Sequence, residues 1–331
     1  MAPHELIRWG MIGCGDVAEV KSGPALQKAD GSALIAVTRR DRAKAEDFAR
    51  RHGVGRVHAD AASLIDDPDV DAVYIATPPA SHVELALRVA AAGKPCLVEK
   101  PMATTYEGCA HLLQVFGARR TSLFVAYYRR ALPRYLRVRE LLRGGAIGRV
   151  TSVHVHVQQP LARGAAARAW RFDPQVAGAG LFLDLASHCV DLLDFLVGPI
   201  VHVAGFAINT GGAYVAEDVT SAAFEFENEV VGTGAWNFNA GSAKDLMVFT
   251  GSDGELCVPV FIDGDVVLSA GGEERVIPFR NPPHVHQPLV QAIVDELRGS
   301  GRCESTGESA ARASWALDRC LERWRHGAAQ K

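Results

Sequence analysis

The stretch Ile7-Arg8-Trp9-Gly10-Met11-Ile12, running into Gly13-Cys14-Gly15-Asp16-Val17-Ala18, decides the fold. The apolar run reads as a short strand, the glycines as a tight turn, and the residues after them as the start of a helix. This is the G-x-G-x-x-G/A pattern of a dinucleotide-binding fold, in the strand-turn-helix context that gives the pattern meaning. Gly13 permits the turn and Gly15 lets backbone approach a pyrophosphate. The small Ala18 lets the helix lie close to the strand. Free N–H groups and the positive end of the helix dipole then face the phosphates, so Gly13, Cys14, Gly15, Asp16 and Val17 are candidate cofactor contacts.

Downstream, apolar strands alternate with helical stretches as far as about residue 128. The strand candidates are Ile7–Ile12, Ala33–Thr38, Ala72–Ala76, Cys96–Val98 and Leu123–Tyr127. Between them lie the helical stretches Val17–Gln27, Arg42–His52, Val83–Ala92 and Tyr106–Phe116. Ser81 with Glu84 has capping-box spacing, and Gly93 followed by Pro95 reads as a helix stop. Strands apolar on both faces and alternating with helices predict a doubly wound parallel sheet, a Rossmann-type α/β domain over 1–128. After Arg134 the period changes. Leu136–Leu142 reads as helix and Val150–Gln158 as a half-buried strand. From Val201 onward, seven strand-like runs are separated by Gly and Asp clusters, with a hairpin turning at Asn228. The helical stretches Pro288–Arg298 and Ser309–Arg325 close the chain. This predicts a second, α+β domain over 129–331 with a large, open, mostly antiparallel sheet, its last helices packing back toward the first domain.

The 331 residues are 48% apolar, enough for two cores, and carry a net charge of −3. Nothing here has the basic footprint of a nucleic-acid binder. The longest apolar runs fall short of the roughly 18 residues that a membrane span requires. Met1-Ala2-Pro3-His4-Glu5 lacks a signal-peptide pattern, so a cytoplasmic location is expected without membrane partners. The seven cysteines are scattered and never spaced C-x-x-C, which predicts reduced thiols and no zinc site.

The second strand ends in Thr38-Arg39-Arg40, with Asp41 arriving late. NAD-selective sites place an acid at this position, whereas two guanidinium groups and a hydroxyl suit a 2′-phosphate. NADP(H) is therefore the expected cofactor, with NAD(H) as the alternative. Val98-Glu99-Lys100-Pro101 ends the strand Cys96–Val98. Ligands of open parallel sheets bind beyond the strands' carboxyl ends, so Lys100 faces the reactive end of the cofactor. Pro101 is a candidate cis proline.

A second constellation is Gly178-Ala179-Gly180-Leu181-Phe182-Leu183-Asp184-Leu185-Ala186-Ser187-His188, opening a helix that runs to about Val197. Asp184 and His188 are four residues apart and share a face, a general base with an orienting or substrate-binding partner. Asp191 and Asp194 continue near that face. Cys189 turns away from it, which argues against a Cys–His dyad. His154 and His156 share a strand face without an evident third ligand, so no metal site is expected. His284 and His286, in a proline-rich loop, would line a pocket or cap the last helices. Arg163, Arg168 and Arg171 are candidates for meeting an anionic substrate group, the cofactor or solvent.

Together these motifs resemble the Gfo/Idh/MocA oxidoreductases over essentially the whole chain. Gly13-Cys14-Gly15 resembles the family's nucleotide loop, and Ala76-Thr77-Pro78-Pro79-Ala80-Ser81-His82 the loop beside the nicotinamide ribose. Glu99-Lys100-Pro101 is similar to the E-K-P motif with its catalytic lysine. Ala179-Gly180-x-x-x-Asp184-x-x-x-His188 is similar to the G-G-x-x-x-D-x-x-x-H motif. Gly178-Ala179-Gly180 departs from an unbroken glycine run. Arg129, Arg130, Trp170 and Arg171 resemble segments that line the family's interdomain cleft. The resemblance thus implies cofactor contacts at Ala76, Thr77, Pro78, His82, Glu99, Lys100, Arg129, Trp170 and Arg171, and catalysis by Lys100, Asp184 and His188. It implies hydride transfer between nicotinamide and a secondary carbinol or ketone of a sugar, cyclitol or derivative, and a homodimer or homotetramer formed through the C-terminal sheet. Two other classes stay open: a non-catalytic dinucleotide-binding regulator, and a glycosidase working by transient oxidation with retained cofactor.

Overall fold

The computed structural model describes residues 5–164, 166 and 169–328. Arg168 and the residues before Glu5 lie outside the described residues, so the readings placed on them have no structural counterpart. The chain forms two compact units. The first joins 5–132 to 282–311, and the second joins 133–281 to 312–328.

The first unit holds β1 (Ile7–Ile12), α1 (Gly23–Lys28), β2 (Ser32–Thr38), α2 (Arg42–His52), β3 (Arg56–Val57) and α3 (Ala61–Ile65). β4 (Ala72–Ile75), α4 (His82–Ala91), β5 (Cys96–Val98), α5 (Tyr106–Arg119) and β6 (Leu123–Val125) follow. Its six strands are all parallel, in the order β3-β2-β1-β4-β5-β6. That is the doubly wound order, whose reversal point lies between β1 and β4. β4, β5 and β6 are buried at every position, as sheets covered on both faces require. β3 is an addition to the expected strands: two residues at the sheet edge, one exposed and one half-buried, with no apolar run to mark them.

Two local expectations are corrected. The helix expected over Val17–Gln27 begins as a π-helical turn, Ala18–Ser22, and continues as α1. Pro24 supplies no N–H and its ring crowds the carbonyl of the preceding turn. The ladder widens by one residue, and the Gly23 N–H reaches the Ala18 carbonyl. Ser81 stands at the N-cap position of α4, but its side chain caps no amide. It belongs to a 3₁₀ turn, Pro79–Ser81, and is already helical, so its hydroxyl donates to the Pro78 carbonyl and to Thr77 Oγ1 instead.

The second unit holds α6 (Pro133–Arg143), β7 (Val150–Gln158), α7 (Pro174–Ala177), α8 (Ser187–Leu196) and β8 (Ile200–Ile208). β9 (Val219–Phe226), β10 (Val231–Asn237), β11 (Lys244–Gly251), β12 (Gly254–Val258), β13 (Val266–Ala270) and β14 (Glu273–Ile277) follow. The eight strands run in the order β14-β13-β12-β11-β7-β10-β9-β8, antiparallel except for the β7–β10 pair. β9 alternates buried and exposed, so one face of the sheet is covered. Phe182 packs edge-on against Trp236 on that covered face. The β9–β10 hairpin turns at Glu227–Val230, with Glu229 in the left-handed region.

The chain then supplies α9 (Gln287–Leu297) to the first unit, and α10 (Gly307–Ala328) is shared. The single break expected at 128/129 therefore becomes a discontinuous division. Its physical reason is local: Thr306 bridges to Phe124, and Ala310 and Ala311 join the apolar core that holds Leu112, Phe116 and Val125. One further expectation is corrected. The stretch Pro174–Leu196 is long and apolar enough to pass for a membrane span, and most of it is buried in the protein, so its apolarity is that of a core segment.

Candidate functional site

In the first unit the nucleotide loop has the geometry its residues dictate. Gly13 sits at φ 94°, and a Cβ there would meet the Ala76 carbonyl at 2.9 Å. The loop after β1 and the loop after β4 therefore touch at a residue without a side chain. A Cβ at Gly15 would meet no protein atom within 4 Å, so open space lies beside it. Asp16 is exposed and Val17 half-buried, and the Glu19 N–H closes onto the Gly15 carbonyl. A glycine beside open space at the start of a helix fits a dinucleotide pyrophosphate.

At the end of β2 the three predicted phosphate contacts part company. Thr38 is buried, and its hydroxyl donates to the His58 carbonyl at 3.0 Å, so it faces the core. The expectation of a free hydroxyl is corrected: the end of β2 is buried on both faces, and the carbonyl of His58, just after β3, takes the hydroxyl proton. Arg39 lies over the nucleotide loop, its Nη1 donating to the Cys14 carbonyl at 2.8 Å, and Arg40 is exposed. Asp41 is consumed as the N-cap of α2, accepting from the Lys44 amide. Burial pushes the Cys14 thiol up, so it stays neutral.

The loops after β4 and β5 are stapled together. The ring nitrogens of buried His82 lie 2.9 Å from the Pro101 carbonyl and 2.7 Å from the Thr77 carbonyl. Burial lowers the His82 pKa and a neutral imidazole has one N–H, so His82 donates to one of these carbonyls and lies against the other, packed between the two loops. The Lys100–Pro101 peptide is cis, and Lys100 is half-buried. Glu99 is buried, accepting from Tyr74 Oη at 2.5 Å and from the Lys100 amide at 3.2 Å; burial pushes its carboxyl up. Ala76, Thr77 and Pro78 are half-buried around this end of the sheet.

Sequence reading missed what surrounds Tyr128. Its ring stacks on His286 with centroids 4.6 Å apart. Arg129 lies 4.8 Å over the same ring and donates to its hydroxyl at 2.8 Å, and the Lys21 ammonium is 5.9 Å from the ring centroid. His286 is buried with Nδ1 4.0 Å from Glu99 Oε1. Burial, then the charges of Lys21, Arg129 and Lys100, push its pKa down to about 3. It directly precedes α9 but makes no side-chain cap, which corrects the capping expectation.

In the second unit the expected helix over 178–197 is interrupted. Phe182–Ala186 is a π-helical turn that carries Asp184, and α8 follows with His188 in its first turn. Such turns concentrate at functional sites. Asp184 Oδ2 lies 3.3 Å from Arg171 Nε, and the Arg171 guanidinium lies 4.6 Å over the Trp170 ring. This brings together Trp170, Arg171 and Asp184; Arg163 is exposed on the same segment. His188 is 5% exposed and meets the Phe261 ring edge-on. Asp194 is fixed by a bidentate pair with Arg312 at 2.6 and 2.8 Å. Arg130 is buried and donates to the Glu304 carbonyl in the first unit. His154 donates to or accepts from Thr233 Oγ1, and His156 pairs with Gln158. No group of three metal-ligating side chains occurs among the described residues, and none of the seven cysteines forms a disulfide.

Residues 7–127 match the oxidoreductase family with the NAD-binding Rossmann fold, and residues 135–257 match the GFO/IDH/MocA C-terminal domain. A curated relative, Oxidoreductase P35 of Formosa agariphila, is 36% identical over 315 residues, 94% of this chain and 97% of that protein. The chain belongs to the Gfo/Idh/MocA oxidoreductase family. Another member, the 1,5-anhydro-D-fructose reductase of Ensifer adhaerens, is 26% identical over 94% of this chain and 93% of its own. The solved structure of a levoglucosan dehydrogenase in complex with NADH and levoglucosan shares the fold. It has a TM-score of 0.86 and 22% identity, and the match covers 97% of each chain. The NAD-binding domain of this Gfo/Idh/MocA oxidoreductase is therefore the first unit's parallel sheet, with Gly15 and the open space beside it at the sheet's reversal point.

Proposed function

We propose that the protein is a dehydrogenase or reductase acting on a secondary carbinol or ketone of a sugar, cyclitol or related polyol, with NADP(H) as the preferred cofactor. The observation that carries the cofactor preference is at the end of β2. The acid that would bind a ribose 2′-hydroxyl is spent capping α2, while Arg39 lies beside the nucleotide loop and Arg40 is exposed next to it in sequence. Arginine pairs phosphate oxygens bidentately, which suits the 2′-phosphate. The nicotinamide, when bound, supplies hydride-transfer chemistry, and the chain's own residues bind, orient and move protons.

Lys100 is the electrophilic partner of the reacting oxygen, donating a hydrogen bond that strengthens as alkoxide charge develops. His188 is the general base in the oxidative direction, and Asp184 holds a neighbouring hydroxyl or orients the base. Arg171, already paired with Asp184 and stacked on Trp170, sets the direction of that carboxylate. The names of relatives such as the 1,5-anhydro-D-fructose reductase and the inositol 2-dehydrogenase of Acidothermus cellulolyticus support a polyol substrate. Phe206, Ile208 and Val231 are exposed on the open sheet, which supports a homodimer or homotetramer formed through that face.

Titration calorimetry of the purified protein with NADP(H) and NAD(H), followed by a sugar and cyclitol turnover screen, tests the reading. Tighter NADP(H) binding with polyol-dependent reduction is expected. Tighter NAD(H) binding would refute the role of the two arginines. Absence of binding and of retained cofactor would refute the redox reading itself.

A further inference from the structure

We propose that Glu217 is a positioning residue of the active site, its carboxylate holding the backbone turn from which Asp184 and His188 project. The inference rests on the function proposed for those two residues.

Glu217 lies on the connection between β8 and β9, far in sequence from any motif of the chain. Its side chain is fully buried. Both carboxylate oxygens accept from the Gly180 amide at 2.8 Å, and the Phe182 amide also hydrogen bonds it. These amides open the segment whose next residues are Asp184 and His188. The N–H groups at the start of a helical segment have no partner within it, and here a buried carboxylate supplies one. A carboxylate without such donors would be costly to bury, so Glu217 and the turn fix one another.

Gly180 shows how closely the two fit. A Cβ there would lie 2.7 Å from the Glu217 carbonyl, 2.9 Å from Glu217 Oε1 and 2.9 Å from the Ala216 Cβ. The glycine thus has a reason within the protein: it admits the carboxylate that grips the turn.

The connection bearing Glu217 is itself rigid. Asp218 accepts from the Thr210 and Gly211 amides at 2.8 and 2.7 Å. Asn209 donates to the carbonyls of Tyr214 and Ala216 and accepts from the Gly212 amide. It also makes a second contact, because Tyr214 packs on Phe172 with ring centroids 4.3 Å apart. Phe172 follows Arg171, which pairs with Asp184. The connection therefore grips both segments that supply the Arg171–Asp184 pair, through Glu217 on one and Tyr214 on the other. An error of about 1 Å in such a placement can cost on the order of 10²-fold in rate.

The test is E217A against wild type, with E217Q as the rescue variant because its amide oxygen still accepts from Gly180. Hydrogen exchange of the protein alone reads the hold directly. Amides 180–188 in E217A should exchange at least about tenfold faster, those of β1 and β4 should be unchanged, and E217Q should restore most of the protection. In turnover, E217A should lose kcat by on the order of 10²-fold while the cofactor Kd stays within about twofold. Unchanged exchange over 180–188, or unchanged kcat in an active enzyme, overturns the proposal. If E217A does not fold, E217D, one methylene shorter, carries both readouts. A wild-type protein that turns over no polyol with either cofactor would sink the functional reading, whereas the exchange result would still decide whether Glu217 holds the turn.

Discussion

His286 gives the sharpest energetic test of the first unit. It is 2% exposed, stacked on Tyr128, and faced by the cations Lys21, Arg129 and Lys100. Burial and those charges lower its pKa from 6.5 to about 3. Glu99 lies 4.0 Å away but offers little compensation, because burial pushes its own carboxyl up. The folded protein therefore refuses a proton that the unfolded chain accepts below pH 6.5. The stability this confers is fully present above the unfolded value and is lost as pH falls from 6.5 toward 3. Each pH unit in that window is worth about 1.4 kcal/mol, so between about pH 7.5 and about pH 4.5 this one group costs the protein roughly 2.7 kcal/mol. His286→Asn keeps a planar, neutral, hydrogen-bonding side chain and removes the titration.

Urea unfolding of wild type and His286→Asn at those two pH values measures the difference. Every other titrating group is common to both proteins and cancels, as does any constant packing cost of the substitution. Wild type should lose about 2 to 3 kcal/mol more than the variant on acidification. Parallel losses would refute the argument that this imidazole is held neutral. A larger loss in the variant would mean that His286 is protonated and pairs with Glu99.

Lys100→Met should cut turnover by several orders of magnitude with cofactor affinity largely intact, read by steady-state kinetics and calorimetry; unchanged turnover would remove Lys100 from the chemistry. Arg39→Ala with Arg40→Ala should weaken NADP(H) binding by at least about tenfold and leave NAD(H) nearly unaffected, and equal losses for both cofactors would show that the arginines do not read the 2′-phosphate. Gly180→Ala should lower unfolding free energy by about 1 to 3 kcal/mol through the clash with Glu217, and an unchanged urea midpoint would show that the turn and the β8–β9 connection can separate freely.

What was legible in the sequence was what is coded locally. The strand, glycine turn and small helical residue at 7–18 are consecutive, and so are the E-K-P and D-x-x-x-H groups. Each could be read because backbone geometry ties those residue types to that spacing. The parallel and antiparallel sheets followed from the change of apolar period. The readings that failed depended on where a side chain points or on which partner arrives from elsewhere. Thr38 lies at the buried end of β2, where the His58 carbonyl takes its hydroxyl proton. Ser81 lost its cap because a 3₁₀ turn starts the helical path earlier. β3 is too short to carry a period. Tyr128 and His286 are separated by most of the second unit's sequence, so no local pattern could join them. Glu217 carries no local signal, since its burial is a property of the fold alone.

The two segments proposed to handle the proton share one physical solution. Lys100 follows a carboxylate-bearing strand end, and buried His82 sits between its loop and the loop after β4, with a ring nitrogen against a backbone carbonyl of each. Asp184 and His188 follow a turn gripped by buried Glu217 through backbone amides. In both cases the group doing the holding is buried and sets its polar atoms against main chain. Lys100 and Asp184 remain half-buried, open enough to meet a substrate. Fixing the main chain restricts where the longer side chains can aim. If that division of labour holds, substitutions at His82 and Glu217 should lower kcat without removing any group from contact with substrate. Substitutions at Lys100 and His188 should remove the chemistry while leaving main-chain protection as it was.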